Sequence, residues 1–244
     1  MLPQWFLLSA LGSLGAIWGS FIAALCSRWP NGEAISTGRS RCEQCGSVIA
    51  VYDLIPVLSF LLLRSKCRAC GQKIGAMPQL VELAAIVLGT VPVLLLPGPQ
   101  AVAASVFGWL LLPLIILDYR YYWLPDRLVI LLAISGLFVG LLLDSPITWF
   151  DRCAGLIAGF GTLEAIRVGF KRWRGYDGMG AGDPKLFGAL GIWLGWQALP
   201  IVLLGASAIG ICIFVARSAL TQSSNFLPFG SYLCGAAYLF AMLI

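Results

Sequence analysis

Along the chain, apolar runs alternate with short polar segments, and most runs are roughly 17 to 22 residues long, enough to cross about 30 Å of hydrocarbon as a helix. They fall near residues 4–26, 80–97, 100–117, 127–144, 152–169, 184–196, 198–217 and 228–244. About eight transmembrane helices are expected. The break at Trp196-Gln197-Ala198 leaves seven as the alternative, with 184–217 forming one long broken segment. The sixth run is short and needs its flanking glycines to turn.

Composition agrees with this pattern. The chain is 59% hydrophobic and 11% charged, with a mean hydropathy of +0.90, the range of an all-α polytopic membrane protein. The first run is too long for the apolar core of a signal peptide and ends at Cys26-Ser27-Arg28-Trp29-Pro30, so it is read as a retained first span.

The net charge is +5. Its basic residues sit in short loops between apolar runs, where they set topology and meet anionic lipid, so membrane lipid and not nucleic acid is the expected partner. If residues 27–79 face the cytoplasm, alternating spans put 118–126, 170–183 and 218–227 on the same side. All 16 basic residues except Arg152 then lie within or beside cytoplasmic loops, the positive-inside pattern, and both termini are external. Asp144 and Asp151 fall on the opposite side as solvated acids that cap helices.

The one sizeable polar segment, 27–79, holds Cys42-Glu43-Gln44-Cys45 and Cys67-Arg68-Ala69-Cys70. Two C-x-x-C knuckles at this spacing present four sulfurs to one tetrahedral ion, so Cys42, Cys45, Cys67 and Cys70 are expected to bind structural zinc. A pair of disulfides is the alternative, although a C-x-x-C disulfide constrains little and a reducing cytoplasm does not preserve it. Four thiolates leave the metal no open position, and a loop this small lacks a substantial core, so the metal would supply folding energy. The expected organisation is a first transmembrane helix over 1–26, a cytoplasmic cysteine-rich zinc loop domain over 27–79 and a transmembrane core over 80–244. Cys26, Cys153, Cys212 and Cys234 are expected to be small buried apolar residues.

The sequence has no histidine, which excludes Ser-His-Asp and Cys-His catalysis and leaves carboxylates, thiolates or lysine. Asp118 and Asp183 each sit where a long apolar run meets a polar one, and ionisable groups so placed default to function. Taken alone, Asp118 is equally the last residue of a span, and Asp126 a first-turn helix acid favoured by the dipole. Asp183 alters that balance. It follows Gly175, Gly178, Gly180 and Gly182, a backbone free of side chains that lets an extended peptide approach. A phosphate loop does not fit, because Lys185 is followed by Leu186. Two adjacent carboxylates sharing one proton make an aspartic-protease dyad, in which one takes a proton from water and the other polarises the scissile carbonyl.

The residues in this order resemble the type IV prepilin peptidases. The likeness runs through Gly19-Ser20-Phe21, the paired C-x-x-C loop with Ile55-Pro56-Val57-Leu58-Ser59, and Val81-Glu82. It continues through Asp118 with Pro125-Asp126, through Met179 to Leu186, and through Pro228-Phe229-Gly230. The resemblance implies a multi-pass protein of the bacterial cytoplasmic (inner) membrane, its active site facing the cytoplasm. Such an enzyme cuts type IV prepilins or pseudopilins, of pilus or type II secretion systems, after a glycine in a short basic leader. It also implies methylation of the new amino terminus with S-adenosylmethionine as methyl donor. By this carry-over Asp118 and Asp183 match the catalytic aspartates, with Asp126, Gly180, Gly182 and Lys185 beside them. No G-x-G-x-x-G follows an expected strand, so a methyl-donor site would not be a Rossmann pocket.

Two other classes compete. A small transporter with a zinc-ribbon regulatory loop would use Asp118 and Asp183 as ion or proton sites, but acids on one membrane face and not at the midplane argue against it. A scaffold whose zinc loop docks a partner leaves the glycine-rich approach to Asp183 unexplained.

Overall fold

The structure, a computed structural model, describes residues 3–33, 41–42, 44–50, 53, 63, 66–73, 75–142, 147–220 and 227–243, without the side chains of 142 and 217–220. Ile55 to Ser59, Asp144, Arg39 and Arg64 lie outside the described residues, as does the side chain of Arg217.

Every apolar run of the sequence becomes a helix. The described α-helices are α1 (Gln4–Arg28), α2 (Met77–Leu95), α3 (Gly98–Tyr121), α4 (Asp126–Leu142), α5 (Trp149–Arg174), α6 (Gly182–Leu194), α7 (Leu199–Leu220) and α8 (Phe229–Ala241). Among the described residues there is no β-strand, only two isolated bridges. Among the described residues, five helical segments are long and apolar enough to cross a membrane: Gln4–Asn31, Met77–Leu95, Gly98–Tyr121, Trp149–Arg174 and Trp196–Ala216. By contrast, α6 and α8 have 13 residues each, roughly 20 Å of helix. Large apolar side chains such as Phe138, Ile157, Leu204 and Ile211 remain exposed on the protein, as a lipid-facing surface requires.

Helix ends run past the apolar stretches where capping chemistry allows. Thr148 and Asp151 form a capping box at the start of α5, so Asp151 does cap a helix as its sequence position implies. At the other end Lys171, Arg172 and Arg174 face the negative end of the dipole, and Gly175 stops the helix at φ 79°. The segment 184–217 is broken at Gly195, whose φ of 78° suits glycine. A single 3-10 turn, Trp196–Ala198, then leads into α7.

The chain forms two compact units, Met1–Pro113 and Leu114–Ile244. In the first, α1 packs along α2. Gly15 and Gly19 of α1 meet the backbone of Ala85 and Glu82, and Gly89 of α2 meets Leu11, so no Cβ fits at these crossings. Trp109 Nε1 donates to the Ala85 carbonyl at 2.8 Å, and Ser105 Oγ donates to Ala101 at 2.8 Å, satisfying polar groups within the apolar packing.

In the second unit α6 is the central element. From Asp183 to Trp193 every residue except Lys185 is buried, with α5, α4 and α8 packed around it. Gly155 and Gly159 of α5 face Gly191 and Gly188 of α6, bringing the two backbones into contact. Arg152, the one basic residue outside the cytoplasmic group in the sequence reading, is only 2% exposed. Its Nη1 donates to the Gly136 carbonyl at 2.9 Å and the Ile192 carbonyl at 2.8 Å, stapling α4 and α6 to α5. Trp193 Nε1 adds a bond to Leu132 O at 2.7 Å. Together these interactions fix the axis of α6, and therefore the position of the acid at its first turn.

Candidate active site

The paired cysteines form two matching hairpins. Cys42 N donates to Ser47 O at 2.9 Å, and Cys67 N donates to Gln72 O at 2.8 Å. Gly46 and Gly71, each directly after a C-x-x-C pair, close the turns with φ of 68° and 70°, which side chains rarely adopt. The cysteine spacing was read from the sequence; the glycine after each pair was not. All four sulfurs lie within 4.8 Å of one another, and Cys42 Sγ sits 3.9 Å from Cys70 Sγ. Tetrahedral zinc with bonds of about 2.3 Å requires sulfurs about 3.8 Å apart, so the cluster fits a four-thiolate metal ion. All four cysteines are free thiols, which leaves no support for the disulfide alternative. Backbone N–H groups of Cys70 and Ala69 pull the Cys67 thiol down to about 6, and the Ser47 hydroxyl lowers that of Cys45. Nearby, Arg68 holds Asp53 with two hydrogen bonds, at 2.7 and 3.0 Å, and keeps its carboxyl below the usual range.

In the second unit the sequence brings two acids to helix ends. Asp118 lies one turn before the end of α3, and Asp183 lies in the first turn of α6. Each is 5% exposed, and they interact electrostatically. After α3 the chain turns sharply at Tyr122, a non-glycine residue with a left-handed φ, 51°. Tyr122 N donates to Asp118 O at 3.0 Å, so the turn is built on the acid's own backbone. Such a conformation costs about 1 kcal/mol or more in a residue with a Cβ and is tolerated where surrounding packing fixes it.

The turn drives Leu124 inward. A Cβ on Gly182 would come within 2.8 Å of Leu124 Cβ, and one on Gly230 within 2.8 Å of Leu124 Cδ1. Gly182 and Gly230 therefore let three segments converge beside the acids. Gly180 contributes through its backbone, its carbonyl accepting from Asp183 N at 3.2 Å. Asp126 and Lys185 do not enter the buried pair. Instead Lys185 Nζ bonds Asp126 Oδ1 at 2.8 Å, with both side chains about half exposed.

Ser231, which the sequence left unmarked, and Cys234, which it marked only as a small apolar residue, complete the setting. Ser231, in the first turn of α8, directs its backbone N–H to Asp118 Oδ2 at 2.6 Å and holds its hydroxyl 3.0 Å from the same oxygen. Cys234, one turn further and fully buried, lies within the electrostatic field of both aspartates; it and Cys26 are buried as expected, whereas Cys153 and Cys212 are exposed on the apolar helix surface. Pro228-Phe229-Gly230 pointed to this stretch, and a lone serine opening an apolar helix was the available signal.

Helices of this length and apolarity define a multi-pass membrane protein, and its second unit holds two buried acids. The bacterial peptidase A24 N-terminal domain matches residues 13–95, and the type IV leader peptidase family matches residues 105–215. The chain belongs to the type IV leader peptidase family and is an enzyme of that class. The prepilin leader peptidase/N-methyltransferase of Aeromonas hydrophila is 40% identical over 204 residues, covering 82% of this chain and 70% of that protein. The protein of the same name from Burkholderia pseudomallei (strain K96243) is 39% identical over 208 residues, covering 83% and 67%. That of Pectobacterium carotovorum subsp. carotovorum is 33% identical over 260 aligned positions, covering 96% and 91%. No solved structure matches the chain.

Proposed function

We propose that the protein removes the short basic leader of type IV prepilins or pseudopilins at the cytoplasmic face of the bacterial inner membrane. Asp118 and Asp183 would act as its catalytic dyad. The observation that carries this is the burial of two carboxylates from different helices in each other's field, beside an exposed glycine-rich segment, 175–182. Two such acids share one proton. The ionised carboxylate accepts a proton from water while the water oxygen bonds to the scissile carbonyl carbon, and the protonated acid donates a hydrogen bond to the carbonyl oxygen. Collapse of the tetrahedral intermediate breaks the C–N bond, and the proton goes to the departing amine.

Asp118 is the twenty-first residue of a 24-residue helix. An acid so near the helix end favours chemistry at a membrane surface over ion passage through the midplane. Gly180 and Gly182 would leave the substrate backbone room to approach, and the Asp126–Lys185 pair would hold the first turns of α4 and α6 together at the rim. The four thiolates of Cys42, Cys45, Cys67 and Cys70 fit structural zinc, whose closed coordination would stabilise the loop and leave no place for a reacting water. Methylation of the new amino terminus with S-adenosylmethionine follows the names of the relatives.

The test uses purified protein in detergent with a prepilin substrate. Asp118→Asn and Asp183→Asn should each reduce cleavage by about a thousandfold or more, while methyl transfer to a pre-cleaved pilin persists. Full processing by both variants overturns the dyad.

A further inference from the structure

Asp118 and Ser231 are 113 positions apart in sequence, yet Ser231 supplies two groups to one carboxylate oxygen. Helix α8 begins after Pro228, which has no side chain able to cap the free N–H groups of the first turn. Asp118 takes that place from another helix. Its Oδ2 accepts the Ser231 N–H at 2.6 Å, and the positive end of the α8 dipole favours a negative charge there. Gly230 makes the approach possible, because a Cβ at that position would lie 3.1 Å from Oδ2.

The hydroxyl adds a second property. Ser231 Oγ is 3.0 Å from Asp118 Oδ2 and also 3.0 Å from the Ile115 carbonyl, one turn earlier on α3. A hydroxyl carries one hydrogen and two acceptor lone pairs. Facing an ionised Asp118, it donates to Oδ2. Facing Asp118 protonated on Oδ2, it accepts from the acid and turns its own hydrogen to Ile115 O. In both states Ser231 Oγ and Asp118 Oδ2 stay bonded to each other, without movement of a heavy atom, and only the direction of the bond changes.

We propose that Ser231 is the positioning residue of the cleavage reaction, holding Asp118 in one geometry through a full proton cycle as the member of the dyad that takes the proton from water. Asp183 is then the member that donates to the substrate carbonyl. The role rests on the dyad reading above and adds to it a division of labour between the two acids. When Asp118 receives the proton, the Ser231 hydrogen swings to Ile115 O, and when the proton passes to the leaving amine it swings back. The backbone N–H stays on Oδ2 throughout.

The experiment is steady-state cleavage of a prepilin peptide by the full chain in detergent, comparing wild type, Ser231→Ala and Ser231→Thr. Alanine retains the backbone N–H and the helix but lacks the hydroxyl. Its kcat should fall about tenfold or more, as for loss of a hydrogen bond to a charged group, with KM changed less than about twofold and the melting temperature preserved. Threonine restores the hydroxyl and should recover kcat to within about threefold of wild type. A wild-type kcat in Ser231→Ala, a threonine variant as slow as alanine, or a loss confined to KM overturns the positioning role while Asp118→Asn remains inactive. Cleavage by Asp118→Asn at the wild-type rate removes the dyad itself, and the role of Ser231 with it.

Discussion

Lys185 Nζ and Asp126 Oδ1 stand 2.8 Å apart, linking the first turn of α6 to the first turn of α4 at the edge of the buried acids. Both side chains are about half exposed, so the pair is screened by water and ions, and exposed pairs contribute about 0–1 kcal/mol. Asp126→Asn should therefore lower thermal stability by less than about 1 kcal/mol and reduce cleavage only severalfold, in contrast to the near-complete loss expected for Asp118→Asn. Parallel melting curves and single-turnover assays of the two variants measure the difference.

Gly230 faces Asp118 so closely that a methyl group would press on both Oδ2 and Leu124 Cδ1. Gly230→Ala should displace the carboxylate and lower kcat about a hundredfold, because small errors of placement near reacting atoms are costly. Gly169 is the matched control. Nothing lies within 4 Å of its Cβ position in α5, so Gly169→Ala should leave kcat unchanged and stabilise the helix by about 0.5–1 kcal/mol.

Arg152 is a buried cation whose hydrogen bonds go to the carbonyls of Gly136 and Ile192. Arg152→Met fills much of the volume but leaves those carbonyls without their donor, and should cost about 2–4 kcal/mol. Both bonds come from one nitrogen, Nη1, and the lysine ammonium sits on a stem one bond shorter, so Arg152→Lys should recover only part of the loss. Thermal unfolding in a fixed detergent ranks the three proteins.

Metal removal should act on the loop and not on chemistry at the acids. Purified protein is expected to carry one zinc per chain by elemental analysis, and Cys42→Ser should abolish it. Chelation should expose four thiols to a colorimetric reagent and make the segment between α1 and α2 sensitive to limited proteolysis.

The helices were legible because lipid imposes one rule on every span: backbone polar groups must be satisfied within the helix, so long apolar runs are helical. Their ends were less so. Thr148, Asp151 and Gly175 carry capping information that hydrophobicity does not register, and α5 accordingly runs beyond its apolar stretch at both ends. Asp118 and Asp183 stood out by their cost at a membrane edge, and the cysteine pairs by metal-ligand spacing. The contact of Ser231 with Asp118 and the burial of Arg152 were not readable, because each is defined by partners far away in sequence. The close contact of Gly155 with Gly191 was hidden for the same reason, since neither glycine occupies a turn.

Asp118 both faces the second acid and closes the open end of α8. On the proposed dyad reading, a single oxygen atom serves architecture and reactivity at once, and each turnover that loads a proton onto the side chain would briefly weaken the seat of a helix. Asparagine retains an acceptor for the Ser231 N–H and alanine does not. The gap in melting temperature between Asp118→Asn and Asp118→Ala therefore measures how much of this acid belongs to the scaffold.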